Sequence, residues 1–344
     1  METAGLNRQI TIVGGGLSGL ALGLGLRTRG IPVKLHEAGT YPRHRVCGEF
    51  ISGLGEETIR TLGLAEVLEG ACQHCHTAWF VRDRQVFESS LPEPARGISR
   101  FLLDHRLSEA FQQAGGRLIE RSRILDGDIP GQVWAAGRRR KKGSSWLGLK
   151  AHFLDLPMRD GLEMHLGEGA YVGLTPVEDG RVNVCGLFRG PSATSAKGPD
   201  RFLESMVERG LGGLASRLRR HEVDRGSFQG VSALAFGPVA AGTAGCRIGD
   251  AHSLIPPFTG HGMAMAFQSA ESVLPHLEAY AHGALEWPAA VIACQQSLVK
   301  RFDRRLQMAS RLHPFLMGSV AQTVLGWGGR IGCLPFQTLY RAVR

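Results

Sequence analysis

The fold of this chain is decided near its N-terminus, by the segment RQITIVGGGLSGLALGLGLRTRGIPVKLHE at residues 8–37. Residues 8–13 end in apolar, mostly β-branched side chains and predict a short strand. The glycines that follow predict a tight turn, and the leucines after them have the spacing of a helix. Residues 32–37, PVKLHE, predict a second strand. A strand, glycine turn, helix and strand in this order predict a Rossmann-like α/β unit.

The turn itself, GGGLSG at residues 14–19, matches the G-x-G-x-x-G pattern of dinucleotide-binding proteins. Gly14 would form the tight turn, Gly16 would let a pyrophosphate reach the helix N-terminus, and Gly19 would let helix and strand pack closely. Glu37 ends the second strand 21 residues after Gly16, where a carboxylate can accept hydrogen bonds from ribose hydroxyls. The pattern predicts dinucleotide binding and leaves FAD and NAD both open.

A second glycine-containing motif lies near the other end, in RIGDAH at residues 247–252 and PPFTGHGMA at residues 256–264. A strand that ends in Gly-Asp would place the Asp250 carboxylate at a sheet edge, within reach of a ribityl hydroxyl. Prolines stiffen the loop, and Gly260 and Gly262 let backbone N–H groups approach a flat ring. The dipole of the following helix would stabilise a reduced flavin anion there. A plain loop that caps a helix is the alternative.

The middle of the chain has the pattern of strands. WLGLKAHFLDL at residues 146–156, AYVGLTPV at 170–177 and RVNVCGLF at 181–188 all have strand character. The Asp179-Gly180 pair between the last two predicts a hairpin. This stretch predicts a mainly antiparallel sheet that interrupts the α/β domain. Helices are predicted at residues 103–115, 200–220, 261–282 and 288–311.

Composition indicates an ordinary globular protein. Of 344 residues, 43% are hydrophobic and 21% are charged, which disfavours a disordered, fibrous or membrane-spanning chain. The net charge is +9, and eight of the basic residues lie from Lys300 onwards with a single acid, Asp303. This basic C-terminal segment suits either a solvated helix face or an anionic partner such as a membrane surface. Seven scattered cysteines do not suggest a disulfide framework, and no leader pattern precedes the first strand, so we expect a cytoplasmic protein.

The two glycine motifs together resemble those of the flavoprotein superfamily that contains geranylgeranyl reductases, p-hydroxybenzoate hydroxylase-like enzymes and flavin-dependent halogenases. RVCGEFIS at residues 45–52 is similar to the segment that lies over the flavin in the reductase branch. ISRFLLDHRLSEAF at residues 98–111 resembles the helix that touches FAD through an arginine. The resemblance implies non-covalent FAD held by Gly14, Gly16, Leu17, Ser18, Gly19, Glu37, Arg45, Arg106, Gly249, Asp250, Pro257, Gly260, His261, Gly262 and Met263. Arg100 is a second candidate for the arginine.

This resemblance implies an α/β fold with a discontinuous Rossmann-like FAD-binding domain, an inserted, mainly antiparallel substrate sheet and a helical C-terminus. The expected FAD-binding domain comprises residues 1–72, 97–145 and 240–290. The substrate domain is expected at 73–96 and 146–239, and the C-terminal helical segment at 291–344. Its apolar, glycine-interrupted tail is either a lid over the substrate or an ordinary packing segment.

The chain also departs from the superfamily pattern. Hydroxylases carry an Asp-Gly motif tied to FAD and NAD(P)H handling, but the corresponding position reads Ala136-Gly137. Residues 116–135 are too few for the usual β-meander. The tryptophans do not form the Trp-x-Trp-x-Ile-Pro motif of halogenases. These departures lower the expectation of hydroxylase-type use of NAD(P)H and of halogenation.

Three side chains are candidates for catalysis. Cys47 lies in the segment expected over the flavin. Its thiol either positions or protonates the substrate, or it is an ordinary buried cysteine. His252 and His261 flank the flavin loop, where each is either a proton donor or a histidine held by backbone. Cys72-Gln-His-Cys75-His76 has the haem c spacing, but we expect no metal or haem because export and further ligands are missing.

The sequence therefore predicts an FAD-dependent oxidoreductase acting on an apolar or phenolic small molecule. Reduction of a carbon–carbon double bond is the first prediction, and hydroxylation of an aromatic or polyketide-type substrate is the alternative. A flavin-binding redox sensor without catalysis is the rival from another class. NADPH, NADH or a separate electron donor would reduce the flavin. We expect no nucleic-acid partner, because the basic residues form no recognisable motif, and we consider peripheral membrane contact through the basic C-terminus.

Overall fold

The computed structural model describes residues 7–137, 144–158, 161–190, 197–238, 245–318 and 322. The tail considered as a lid lies outside these residues from position 319 onwards, except for Gln322. The strands are β1 (Ile10–Val13), β2 (Val33–His36), β3 (Phe50–Ile51), β4 (Cys72–Val81), β5 (Arg84–Gly97), β6 (Arg117–Ile119), β7 (Gln132–Trp134), β8 (Trp146–Leu154), β9 (Leu162–Gly167), β10 (Ala170–Pro176), β11 (Arg181–Arg189), β12 (Val223–Ser232), β13 (Gly237–Pro238), β14 (Cys246–Arg247) and β15 (Ser253–Leu254). The α-helices are α1 (Leu17–Arg27), α2 (Glu56–Leu62), α3 (Arg100–Gln113), α4 (Gly198–Glu208), α5 (Gly212–Leu218), α6 (Gly262–Ala281) and α7 (Trp287–Met317).

The first sheet is parallel and has the order β14-β7-β1-β2-β6. Its central strand β1 is a short apolar run, as expected for a strand covered on both faces. The apolar helix α1 packs on the sheet together with α3 and α6, and its residues from Leu17 to Leu26 are buried. One hydrophobic core therefore joins segments from both ends of the chain.

The second sheet has eight strands in the order β12-β8-β11-β10-β9-β4-β5-β3. Its pairs are antiparallel except for the parallel pair β4 and β9. Because side chains alternate along a strand, β8 presents Leu149, Ala151 and Phe153 to a core that includes α4 and α5. Its other face carries Trp146, Gly148, Lys150 and His152, which lie toward the segment at residues 44–49.

The predicted fold class is confirmed: a Rossmann-like sheet is interrupted by a mainly antiparallel sheet and followed by a long helix. The hairpin between β10 and β11 turns at Asp179 and Gly180, both at positive φ. The single helix predicted at 200–220 is wrong. Helix α4 ends before Gly210, which has a φ of 77°, and α5 begins two residues later. The domain boundaries stay a prediction.

None of the helices in the described part of the chain is long and apolar enough to cross a membrane.

Candidate functional site

The glycine turn between β1 and α1 is shaped by close backbone packing. A side chain at Gly14, whose φ is 108°, would collide with the backbone of Ala135. A side chain at Gly19 would collide with the Gly14 carbonyl oxygen. Gly16, by contrast, faces open space and begins α1 without a side-chain cap. Two glycines thus hold the turn closed, and the third leaves the helix N-terminus accessible to an anion.

Glu37 fixes the turn from the end of β2. Its buried carboxylate accepts hydrogen bonds from the backbone N–H of Gly15 at 2.8 Å and of Gly39 at 2.7 Å. Arg43 forms an ion pair with it at 2.6 Å. Burial by itself would raise the pKa of Glu37, but the Gly39 N–H and the nearby arginine charges lower it below its usual value. The carboxylate is therefore ionised and rigid beside the turn.

Three guanidinium groups surround two buried carboxylates next to this turn. Asp104 is fully buried on α3. Its carboxylate accepts hydrogen bonds from Arg100 Nε at 2.6 Å, from Arg100 Nη2 at 2.8 Å and from Arg45 Nε at 2.9 Å. Two guanidinium nitrogens are buried and have no hydrogen-bond partner among the residues described: Arg45 Nη2 and Arg43 Nε. One positive charge is in excess, which suits a phosphate group at the helix N-terminus.

Arg106 lies elsewhere. Its guanidinium donates to the backbone oxygens of Glu69 at 2.6 Å and Val67 at 3.4 Å. Arg100, not Arg106, shares the side of α3 with Asp104, because residues four apart lie on one side of a helix. A contact of Arg106 with FAD stays a prediction.

The second glycine motif lies against the first. Gly249, with a φ of 58°, is so close to Ser18 of α1 that a side chain there would strike the Ser18 hydroxyl. Its N–H donates to Ser269 Oγ of α6 at 3.0 Å. Gly260, at a φ of 68°, lies against Phe50 of β3. The structure thus brings together the two ends of the chain that the resemblance assigned to one cofactor.

The other residues predicted to bind the cofactor differ in their exposure. Asp250 is half-buried in the turn after β14, Leu17 and Met263 are buried in the core, Pro257 is exposed, and Gly262 begins α6.

The two candidate histidines have different surroundings. His261 is fully buried, and its Nδ1 lies 2.6 Å from the backbone oxygen of Thr259, so its own loop holds the ring. His252 is half-buried, and burial lowers its pKa, which favours the neutral imidazole. Their catalytic roles stay predictions.

Cys47 packs against the core of the FAD-binding unit. Its thiol accepts the Glu49 N–H at 3.5 Å, and its backbone oxygen accepts Asn183 Nδ2 at 3.0 Å. Burial raises the pKa of the Cys47 thiol, although the charge of Arg100 opposes the shift. The group is therefore a thiol at neutral pH and has the proton that the predicted donor role requires.

An apolar cluster lies where the second sheet meets the flavin loop and the end of α7. Its aromatic part surrounds His313: ring centroids lie 5.0 Å away at Trp146, 5.1 Å at Phe236 and 5.9 Å at Phe258. Phe258 belongs to the flavin loop itself. The buried members of the cluster are Met164, Leu166, Tyr171, Leu187, Leu234, Phe258, Leu316 and Met317.

Two buried polar atoms border this cluster: Tyr171 Oη, which interacts with the backbone of Phe258, and His313 Nε2, which has no hydrogen-bond partner among the described residues. Burial and the charge of Arg189 lower the pKa of His313 to about 4, so its imidazole is neutral at pH 7. Burial raises the pKa of Tyr171, whose hydroxyl stays protonated near the backbone of Phe258. Sequence analysis missed both residues, because neither lies in a motif.

The residues at the turn fit FAD. The open space at Gly16, the unpartnered arginine nitrogens and the ionised Glu37 suit a pyrophosphate and a ribose. Within the described ranges, no three His, Cys, Asp or Glu side chains are grouped so that they could hold a metal ion.

No family model matches the sequence. The chain is 24% identical to menaquinone reductase of Mycobacterium tuberculosis over 352 aligned positions, which cover 88% of this chain and 82% of the relative. Among solved structures, the flavin-dependent brominase Bmp2 superposes with a TM-score of 0.74 at 18% identity, covering 98% of this chain and 93% of Bmp2.

Two further solved structures share the fold. HpxO of Klebsiella pneumoniae, solved with FAD and uric acid, superposes with a TM-score of 0.73 at 16% identity. The superposition covers 97% of this chain and 95% of HpxO. PqsL of Pseudomonas aeruginosa, solved with 2-aminobenzoylacetate, superposes with a TM-score of 0.72 at 13% identity. The superposition covers 92% of this chain and 99% of PqsL. Both glycine motifs lie together on this fold, and the chain therefore shares the fold of these flavin-dependent proteins.

Proposed function

We propose that this protein is an FAD-dependent oxidoreductase that reduces a carbon–carbon double bond in an apolar small molecule. The observation that carries the proposal is the apolar cluster around His313, which shares Phe258 with the flavin loop. A substrate bound at this cluster would lie beside the flavin and away from water. FAD, when bound, supplies the hydride chemistry, and the protein supplies position and environment.

The chain's own residues have three tasks in this proposal. The glycine turn, Glu37 and Arg45 hold the cofactor at the edge of the first sheet. The apolar cluster excludes water and binds the hydrocarbon part of the substrate. Tyr171 Oη and His313 Nε2 are the buried polar atoms that would orient a carbonyl or hydroxyl of the substrate, and His313 Nε2 has no hydrogen-bond partner among the described residues.

Two observations support reduction over hydroxylation. Ala136 stands where the hydroxylases have the aspartate connected with NAD(P)H handling, directly beneath Gly14. The curated relative is named a menaquinone reductase, and it aligns over most of both chains. We therefore propose a reductase that takes electrons from NADPH, NADH or a separate donor.

Hydroxylation is the second candidate, because PqsL is described as a probable FAD-dependent monooxygenase and shares the complete architecture. The same apolar cluster would hold an aromatic ring for hydroxylation. The difference between the two candidates lies in the product, to which reduction adds two hydrogens and hydroxylation adds one oxygen atom.

Peripheral membrane contact is part of the proposal. Lys300, Arg304 and Arg311 are exposed on α7, and two exposed apolar side chains, Ile292 and Val299, lie on the same helix. Such a surface suits an anionic bilayer that contains an apolar substrate.

The test is product mass. Purified protein would be reconstituted with FAD, photoreduced under argon without dithionite, and mixed with menaquinone bearing a short isoprenoid chain, with and without ¹⁸O₂. The quinone ring would be reoxidised before mass analysis, so that a gain of two hydrogens reports reduction of the isoprenoid double bond. A product heavier by two hydrogens in both gases supports the reductase, and one that carries ¹⁸O identifies the monooxygenase. Tyr171→Phe combined with His313→Phe should lower turnover about 10-fold or more while flavin content is unchanged. His105→Phe, a change at a half-buried histidine of α3, is the matched control.

A further inference from the structure

Two strongly exposed apolar side chains lie on one loop. Among the residues that the structure describes, no large apolar side chain is more exposed than Leu125 and Ile129, at 84% and 57%. Both belong to the connection between β6 and β7. Single apolar residues on a surface are ordinary, whereas a contiguous apolar patch marks an interaction site. The surroundings of these two side chains therefore decide whether they have a role.

Both ends of the loop are fixed to the first sheet. Near its start, Ser122 Oγ lies 2.8 Å from His36 Nδ1 at the end of β2. At its end, the Gln132 N–H of β7 donates to the backbone oxygen of Ile129 at 2.9 Å. The loop therefore follows a defined path between two neighbouring parts of the sheet.

The middle of the loop is fixed by an ion pair. Both carboxylate oxygens of Asp126 accept hydrogen bonds from Arg247 Nη2, at 2.7 and 2.9 Å. The side chain of Arg247 is almost buried, and its guanidinium carbon lies 5.9 Å from the centre of the Trp134 ring. Arg247 thus neutralises Asp126 at the base of the loop, while Leu125 and Ile129 on either side stay in contact with water.

Two exposed apolar side chains of α7 lie next to the loop. Gln295 Nε2 of α7 donates to the Gly245 oxygen at 3.4 Å, and a side chain at Gly245 would lie 3.5 Å from the Asp128 carboxylate of the loop. Ile292 and Val299 are exposed and share the side of α7 that carries Gln295, because residues three or four apart lie on one side of a helix. The loop and this side of α7 therefore form one surface with four exposed apolar side chains.

The charges beside this surface suit an anionic lipid bilayer. Within residues 121–130, two arginines balance two aspartates, so this segment has no net charge. On α7, Lys300 and Arg304 follow Val299 and are exposed, with Asp303 as the exposed acid between them. Acyl chains would receive the apolar side chains, and anionic headgroups would attract the cations of α7. A second copy of this chain would instead bring the cations of two α7 helices together.

We propose that the loop at residues 123–130 inserts Leu125 and Ile129 into an anionic lipid surface, beside the basic residues of α7. The proposal rests on the membrane contact of the proposed function and adds which part of the chain enters the bilayer. The β7–β14 edge of the first sheet then faces the membrane. Because the segment has no net charge, it contributes apolar contact, whereas α7 contributes electrostatic attraction.

The first test is co-sedimentation of the purified full chain with vesicles of phosphatidylglycerol and phosphatidylcholine. Leu125→Ser should weaken binding about 10-fold, because the serine loses the apolar contact with the acyl chains. Since this change removes no charge, the dependence of the remaining binding on salt should stay that of wild type. Val207→Ser, at an exposed apolar residue of α4 that packs with the second core, is the matched control and should bind as wild type.

The outcomes separate this proposal from the proposed function. Wild-type binding by Leu125→Ser would overturn insertion of the loop and leave the contact through α7 standing. A wild-type protein that does not bind these vesicles would overturn insertion and the membrane contact together. Neither result changes the product mass by which the flavin chemistry is judged.

The second test measures insertion directly. In Leu125→Trp, phosphatidylcholine with brominated acyl chains should quench the added tryptophan fluorescence, whereas Val207→Trp should show no added quenching. Absence of added quenching in Leu125→Trp would contradict insertion. Sedimentation velocity without lipid tests the other occupant: if Leu125→Ser converts a dimer into a monomer and still binds vesicles as wild type does, the surface joins two copies of the chain and the membrane proposal is wrong.

Discussion

Arg45 Nε and Arg100 share one fully buried carboxylate, that of Asp104, at 2.9 Å and 2.6 Å. Because removing one partner leaves buried charge uncompensated, we expect Asp104→Asn to lower the free energy of unfolding by about 3 kcal/mol. Urea denaturation at pH 7 measures the loss. The exposed pair Glu57 and Arg60 is the matched control, and Glu57→Gln should cost less than about 0.5 kcal/mol. Equal losses of unfolding free energy in the two variants would show that the buried ion pairs stabilise the protein no more than the exposed pair.

Gly16 and Gly19 lie three residues apart and should respond oppositely to alanine. A methyl group at Gly19 meets the Gly14 carbonyl oxygen, so Gly19→Ala should destabilise the cofactor-free protein by about 2 kcal/mol or more. Gly16 has open space and a φ of −85°, so Gly16→Ala should leave that stability within about 0.5 kcal/mol.

FAD affinity separates the two substitutions further. Gly16→Ala should weaken FAD binding about 10-fold or more, because the methyl group occupies the approach to the helix N-terminus. Thermal unfolding without cofactor and flavin fluorescence titration measure the two properties. Tight FAD binding by Gly16→Ala would contradict the position assigned to the pyrophosphate.

The glycine turn could be predicted from sequence because its determinants are local. Turn, helix and second strand lie within residues 8–37, and each has a pattern that one segment shows alone. The same holds for the β10–β11 hairpin, whose turn residues sit between its own strands. The sequence therefore predicted the fold class, and its assignment of residues to the cofactor site stays a prediction.

Residues that meet only through tertiary structure were missed. Glu49 and Lys150 are about one hundred positions apart, and nothing near either residue indicates a charged partner in the interior. His313 lies in a helical stretch whose neighbours in sequence are ordinary, and its aromatic surroundings come from three other segments. Strands β5, β9 and β12 were missed as well, because they are irregular in pattern or partly exposed.

His313 should make stability depend on pH. Its folded-state pKa of about 4 lies below the usual 6.5, so between these values the unfolded chain binds more protons. Its contribution is therefore fully present above pH 6.5 and is lost as pH falls toward 4, by about 3 kcal/mol at most. In His313→Phe, the fall in unfolding free energy from pH 7 to pH 4 should be smaller by up to that amount.

Urea denaturation at several pH values measures this difference. His44, whose pKa is also lowered to about 4 by burial and by Lys150, is present in both proteins and cancels in the comparison. If the unfolding free energy of wild type and His313→Phe depends on pH in the same way, the imidazole is not buried in its neutral form.

The exposed basic residues of α7 should direct binding to anionic membranes. Replacing Lys300, Arg304 and Arg311 by serine removes three positive charges, each worth about 1 kcal/mol near an anionic surface. We therefore expect about 10-fold or more weaker co-sedimentation with vesicles of phosphatidylglycerol and phosphatidylcholine, and wild-type binding should fall in 0.5 M salt. Serine at Arg219, Arg220 and Arg225, which are exposed at the end of α5 and on β12, also removes three positive charges, is the matched control and should bind as wild type. If both variants lose binding equally, net charge rather than the surface of α7 determines the contact.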